Sequence, residues 1–111
     1  MTEIQELEAT IAAYQDLIKD GEKIQRLKED ALFKEIILEG YCVKKCADYV
    51  ASSTSDILDE SARALALEAA KSAGHLRNYL DATLQMANVA KENLPEIQDS
   101  LDKLRNADAE E

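Results

Sequence analysis

Three side chains have the chemistry to hold a soft metal ion or to pair a nucleophile with a base: Cys42, Cys46 and His75. A closed zinc site takes four ligands, and a catalytic zinc takes three ligands and a water. Catalysis by a thiol needs a base held against it and a third group that orients the base. One histidine in a leucine-rich segment supplies neither arrangement, so we expect no enzymatic activity, no metal site and no cofactor.

The two cysteines lie four residues apart in an apolar segment, a spacing that points both thiols to the same side of a straight α-helix. That geometry does not easily give the close Cβ approach that a disulfide requires. Reduced thiols in a cytosolic compartment are the simplest interpretation. A redox or metal-binding role for the pair is the weaker alternative.

Other catalytic and ligand-binding patterns are missing from the sequence. The Glu-x-x-His motif of di-iron bundles does not occur, since the nearest pair, Glu68 and His75, is seven residues apart. No glycine-rich loop is present to bind a phosphate. The formal net charge is −10, from 23 acidic and 13 basic side chains, and it opposes binding to a nucleic-acid backbone. We therefore expect a protein partner and no direct nucleic-acid binding.

The composition points to helices as the elements that position these side chains. The 111 residues include three glycines and one proline, with 32% charged and 5% aromatic residues, as in long helices and coiled coils. We predict an all-α protein of one domain, residues 1–111, built as an elongated antiparallel hairpin or bundle of three to four helices with an N-terminal coiled-coil arm. A chain of this length buries only part of its surface, so we also expect a homo-oligomer.

The predicted coiled-coil arm covers residues 1–30 and starts with a capping-box pattern at Thr2 and Gln5. Gly21 interrupts its apolar seam, but apolar residues resume within one turn, so we expect a continuous or slightly bent helix. A seam longer than its partner helix in the same chain needs another chain to cover it. The residues of this predicted interface are Ile4, Leu7, Ile11, Tyr14 and Ile18.

A central helix is predicted over residues 31–51, with Asp30 as a possible N-cap. Apolar residues at positions 33, 36, 37, 43, 46, 47 and 50 predict a stripe along one face. Gly40 predicts the close approach of a neighbouring helix. Phe33, Tyr41 and Tyr49 have the size of interface anchors, and the alternative is that they close the chain's own core.

The C-terminal half predicts a loop at residues 52–56, a long packing helix over residues 57–93, and a short terminal helix over residues 95–106. Pro95 predicts a kink or break near Asn93, because proline lacks a backbone donor and clashes with the preceding turn. We expect the last residues to fray. No apolar run approaches the ~18 residues of a membrane span, so we expect no membrane association.

Packing residues follow a recognisable pattern in three segments: Leu32-Phe33-Lys34-Glu35-Ile36-Ile37-Leu38-Glu39-Gly40-Tyr41, Cys46-Ala47 and Ala73-Gly74-His75-Leu76-Arg77-Asn78-Tyr79-Leu80. In this pattern the chain resembles a family of small acidic helical bacteriophage proteins, and the likeness covers roughly residues 20 to 90. The resemblance implies a viral protein of the virion or its assembly module, in the host cytoplasm during assembly or in the finished particle. The chain departs from the family at both cysteines, in the serine-rich loop and at Pro95.

The resemblance and the absence of catalytic patterns together suggest a non-enzymatic phage structural or assembly protein, with a scaffolding, decoration or accessory role. It would self-associate and bind a larger partner, such as a capsid protein or another phage structural protein. The alternative hypothesis is an acidic inhibitor or nucleic-acid mimic that binds a basic surface of a host protein. A defined oligomer favours the first hypothesis, and binding that weakens steeply with salt favours the second.

Overall fold

The computed structural model describes residues 2–110, together with the side chains of residues 2–109. These residues form three helices and no strand, which confirms the all-α prediction. The first helix is Glu3–Glu29, the second spans residues 31–53, and the third is Glu60–Glu110. None of the described helices combines the length and the apolar character needed to cross a membrane.

Local hydrogen bonds set the starts of all three helices. The Thr2 backbone N–H donates to Gln5 Oε1 at 3.0 Å and the Gln5 N–H donates to Thr2 Oγ1 at 3.1 Å, which confirms the predicted capping box. Asp30 accepts from the Phe33 N–H at 2.9 Å, which confirms Asp30 as the N-cap of the second helix. Asp59 accepts from the Ala62 N–H at 2.7 Å, so the third helix begins three residues later than predicted.

The second helix is π-helical over most of its length. An α-helical turn, Ala31–Phe33, leads into π-helix Lys34–Lys45 and then into α-helix Cys46–Ser53. The Cys46 N–H, for example, donates to the Tyr41 carbonyl oxygen five residues earlier. Such turns hold more residues than the 3.6 of an α-helix, so inward positions recur at steps of four or five.

This register changes which apolar residues of the second helix face inward. The α-helical stripe that we predicted is wrong at four of its positions, where the side chains are exposed: Ile36, Val43, Ala47 and Val50. The π-helical register instead makes a different set buried or half-buried: Phe33, Ile37, Leu38, Tyr41, Cys42, Cys46 and Tyr49. All seven are apolar or aromatic, whereas α-helical spacing would bring Lys44 onto the same face as Phe33.

The close approach of two helices occurs at Gly21 and not at Gly40. A Cβ atom on Gly40 would meet only the Glu35 carbonyl group of its own helix, with the oxygen at 3.0 Å, and no described atom of another helix within 4 Å. Our interhelical interpretation of Gly40 is therefore wrong. Gly21 is buried in an uninterrupted first helix, as expected, and a Cβ atom there would overlap the Ala87 side chain.

The third helix continues through Pro95, so the separate terminal helix predicted over residues 95–106 is wrong. Proline removes one hydrogen bond from the helix and leaves the carbonyl of Lys91, four residues earlier, without its usual donor. Pro95 and Lys91 are both exposed, so water can hydrogen-bond that carbonyl. The described helix reaches Glu110, beyond the point where we expected the chain to fray.

The chain divides into two compact units, and its organisation as one domain stays a prediction. The central unit is Gln25–Ala82, and the terminal unit combines Met1–Ile24 with Thr83–Glu111. The buried residues are mostly small. In the central unit they are Cys42, Ala70, Ala73 and Leu80, and in the terminal unit they are Gly21, Ala87, Ala90 and Leu101.

Candidate functional site: an apolar surface and a charged cleft

Large exposed apolar side chains are concentrated in the central unit. Among the described residues eleven such side chains are exposed, and two of them, Met86 and Val89, belong to the terminal unit. The other nine belong to the central unit: Leu27, Leu32, Ile36, Val43, Val50, Ile57, Leu65, Leu67 and Tyr79. Ile57, in the loop before the third helix, is 96% exposed.

Net negative charge is concentrated in the terminal unit. The central unit contains eight of the 13 basic residues and ten of the 23 acidic residues, which gives a net charge of −2. The terminal unit contains the remaining five basic and 13 acidic residues, which gives a net charge of −8. The central unit thus combines most of the exposed large apolar side chains with a nearly neutral net charge, while the terminal unit is strongly acidic.

A cleft of about 150 Å³ lies in the central unit between side chains of all three helices. We call its apolar residues together with Cys42 the floor, and its charged residues the rim. The floor consists of Leu38, Cys42, Val43 and Leu80, and the rim of Lys28, Lys34, Glu39, Arg77 and Asp81. Three cations and two anions surround this cleft, so its rim is locally basic in a protein of net charge −10.

One carboxylate on this rim faces two cations. Lys28 Nζ lies 3.5 Å from Asp81 Oδ1, and Arg77 Nε lies 3.9 Å from Asp81 Oδ2. These side chains are between 30% and 60% exposed, so solvent screens the pairs and each contributes little to stability. Lys34 makes no ion pair with any described residue, so its ammonium group is the cation of the rim that is open to an incoming anion.

Cys42 is 7% exposed at the floor of the cleft. Burial raises the pKa of this thiol above its ordinary value of 9.0, and the positive charge of Arg77 partly opposes that shift. A thiol with a raised pKa is protonated at neutral pH and is a poor nucleophile or metal ligand. Cys46 is also a free thiol, and it donates to the Ala70 carbonyl oxygen at 3.7 Å.

A second cleft, of about 410 Å³, lies in the terminal unit between the first and third helices. The ion pair between Arg105 Nη2 and Glu8 Oε1, at 3.0 Å, borders it. The other lining residues are apolar or polar, with one acidic side chain among them: Ile11, Ala12, Gln15, Gln98, Leu101 and Asp102.

The eight residues predicted as interface positions are all half-buried. Ile11 and Leu101 both line the terminal cleft, and Glu8 of the first helix pairs with Arg105 of the third. The full set is Ile4, Leu7, Ile11, Tyr14, Ile18, Phe33, Tyr41 and Tyr49. Their role as contacts between chains stays a prediction.

Sequence reasoning missed the exposed residues of the second helix and the cleft beside them. The available signal was the recurrence of apolar residues at steps of four and five from Phe33 to Tyr49, which fits i→i+5 turns better than α-helical turns. His75 is exposed. Within residues 2–110 no three His, Cys, Asp or Glu side chains come close enough together to hold a metal ion.

Comparisons with protein-family models, with curated proteins and with solved structures find no match for this chain.

Proposed function

We propose that this chain is a non-enzymatic helical protein that self-associates and binds a larger protein, as a structural or assembly component of a bacteriophage. The distribution of exposed apolar side chains carries this proposal, since nine of the eleven lie in the central unit. A contiguous exposed apolar patch marks a site of protein interaction, and we propose that these side chains form one. The resemblance to small acidic phage proteins supports a scaffolding, decoration or accessory role, exercised in the host cytoplasm during assembly or in the virion.

The exposed surface of the large side chains supports a protein that functions with a partner. No large side chain among those described is fully buried. A second chain can bury part of this surface and complete the core.

The binding surface that we propose is the central unit and not the seam of the N-terminal arm. The seam residues are half-buried against their own chain, while Leu32, Ile36 and Val43 are between 51% and 66% exposed. We also propose that the first and third helices run antiparallel within the terminal unit. The contacts of Glu8 with Arg105 and of Gly21 with Ala87 support that arrangement.

Hydrogen exchange at two protein concentrations tests this proposal. We expect amides between residues 25 and 82 to exchange more slowly in a concentrated sample than in a dilute one, because association covers their surface. Protection confined to residues 1–24 would instead assign association to the N-terminal seam. Identical exchange at both concentrations, together with a monomeric mass, would contradict self-association.

An acidic inhibitor that binds a basic surface of a host protein is the second candidate function. The terminal unit favours it, with 13 acidic and five basic residues. Its acidic residues whose side chains are described are all exposed, which is the arrangement that a nucleic-acid mimic requires.

Salt dependence separates the two candidates. A complex built on the acidic terminal unit should weaken steeply as salt rises, because exposed charges are screened beyond about 10 Å at 0.1 M. A complex built on the apolar surface of the central unit should keep its affinity at about 0.5 M salt, since burial of apolar area is not screened. Isothermal titration calorimetry with a purified protein partner, at about 0.1 M and about 0.5 M salt, measures which of the two behaviours the complex shows.

A further inference from the structure

We propose that copies of this chain associate head to tail, with Met86 of one copy entering the central-unit cleft of the next copy and Val89 packing at the edge of that cleft. This inference rests on the proposed function, because it names a second copy as the partner of the central unit. It is carried by the fit in size, polarity and charge between the cleft and this pair of residues.

The cleft has the size and polarity to receive an apolar side chain. Its volume of about 150 Å³ matches that of an apolar cavity that holds one ring-sized molecule. Leu38, Val43 and Leu80 give it an apolar floor, and Val43 is 51% exposed. A side chain placed there would cover apolar surface that the single chain leaves open to water.

The rim of the cleft favours an apolar group that carries a carboxylate beside it. Lys28 and Arg77 already face Asp81, but Lys34 has no ionic partner among the described residues. An incoming carboxylate near Lys34 would form an ion pair across the interface and fix the register of the two copies. The cleft therefore selects an acidic amphipathic segment.

The terminal unit contains one such segment. Met86 and Val89 are its only exposed large apolar residues among those described, at 52% and 48% exposure. They lie three residues apart on the third helix and so share one face. Glu92, three residues further along, is exposed on the adjoining turn, and methionine adapts well to an irregular apolar cleft.

Electrostatics favour this pairing over contact between two terminal units. Two terminal units in contact would bring together surfaces of net charge −8 each, which repel. The proposed contact instead brings the Glu92 carboxylate, which lies beside Met86 and Val89 on the third helix, to a rim of three cations and two anions. A head-to-tail contact leaves a free cleft on one copy and a free Met86–Val89 pair on the other, so it repeats into a ring or an open chain.

Two variants test this pairing by complementation. The cleft variant carries Lys34→Glu and Val43→Glu, and the pair variant carries Met86→Glu and Val89→Glu; all four side chains are exposed, so both variants should fold. We expect each variant alone to have the 12.3 kDa mass of a monomer by light scattering. We expect an equimolar mixture to form a one-to-one dimer, because it combines one intact cleft with one intact Met86–Val89 pair.

A control variant carries Lys44→Glu and Ala51→Glu, which are exposed positions on the second helix outside the cleft. It should associate like the wild type.

The outcomes separate this inference from the proposed function. If the wild-type chain associates but the mixed variants stay monomeric, or if either variant alone still associates, the head-to-tail pairing is wrong and self-association stands. If the wild-type chain is monomeric at every concentration, self-association itself is wrong. Circular dichroism of each variant confirms that a loss of association is not a loss of helix.

Discussion

Gly21 and Ala87 are in contact where the first and third helices meet in the terminal unit. A Cβ atom on Gly21 would overlap the Ala87 side chain, and the Ala87 Cα would lie 3.7 Å from it. Both residues are buried, Ala87 to 2% exposure. The glycine therefore sets the distance between the two helices at this point.

The first prediction concerns this contact. Gly21→Ala should destabilise the protein by roughly 1–3 kcal/mol, because the added methyl group forces the helices apart. In a helix without that contact the same change stabilises by roughly 0.5–1 kcal/mol. The free energy of unfolding from urea titration measures the difference.

Two further variants serve as controls for this prediction. Gly74→Ala should raise stability, because no described atom lies within 4 Å of its Cβ position. Combining Gly21→Ala with Ala87→Gly should recover most of the lost stability, since the methyl group only changes sides. Equal effects of Gly21→Ala and Gly74→Ala would contradict the contact.

Short-range signals in the sequence were read correctly, whereas features that depend on packing were not. The capping box at Thr2 and the N-cap at Asp30 involve residues within three positions of each other, so the local sequence contains the whole interaction. Gly21 and Gly40 look alike in sequence, and only the position of the third helix distinguishes them.

The π-helical register and the passage of the third helix through Pro95 were missed for two different physical reasons. π-Helical turns are rare, so a pattern with steps of four and five was assigned α-helical spacing. That assignment placed Val43 on the inward face of the helix, whereas Val43 is exposed and lines the cleft. Pro95 is tolerated because it is on an exposed face of a helix that is packed elsewhere along its length, and local propensity does not contain that information.

The second prediction concerns Pro95. Pro95→Ala should stabilise the protein by roughly 1–3 kcal/mol, because the helix regains a backbone hydrogen bond and loses a steric clash. Helix content by circular dichroism should stay the same or rise slightly. If Pro95 instead began a separate helix, where proline is favourable, the substitution would lower the free energy of unfolding.

The third prediction concerns the pH dependence of stability at Cys42. Burial raises the pKa of this thiol in the folded state above 9.0, so the group contributes stability that is fully present below pH 9. That contribution is lost as pH rises through the folded-state pKa. The free energy of unfolding should therefore fall more above pH 9 in the wild type than in Cys42→Ala, and urea titrations from pH 7 to pH 10 measure it.

Cys46→Ala is the matched control for the loss of one thiol from the same helix. Its stability should decline with pH as in the wild type, because Cys42 is retained. A Cys42→Ala variant whose stability declines as steeply as that of the wild type would show that the thiol is not buried as described.

The fourth prediction concerns the seam of the first helix. Ile11→Ala should lower the stability of the folded chain by roughly 1–3 kcal/mol, because Ile11 is half-buried and, with Leu101, lines the terminal cleft. This loss is smaller than the cost of truncating a fully buried isoleucine. The oligomeric mass should not change under conditions where the variant is folded. Loss of association with unchanged stability would restore the seam to the role of an interface between chains.

The molecular mass of the wild-type protein in solution, measured by light scattering after size exclusion over a hundredfold range of concentration, tests the central claim most directly. Self-association through the apolar surface of the central unit predicts a mass that is a multiple of 12.3 kDa and that persists at high salt. A mass of 12.3 kDa at every concentration would contradict it.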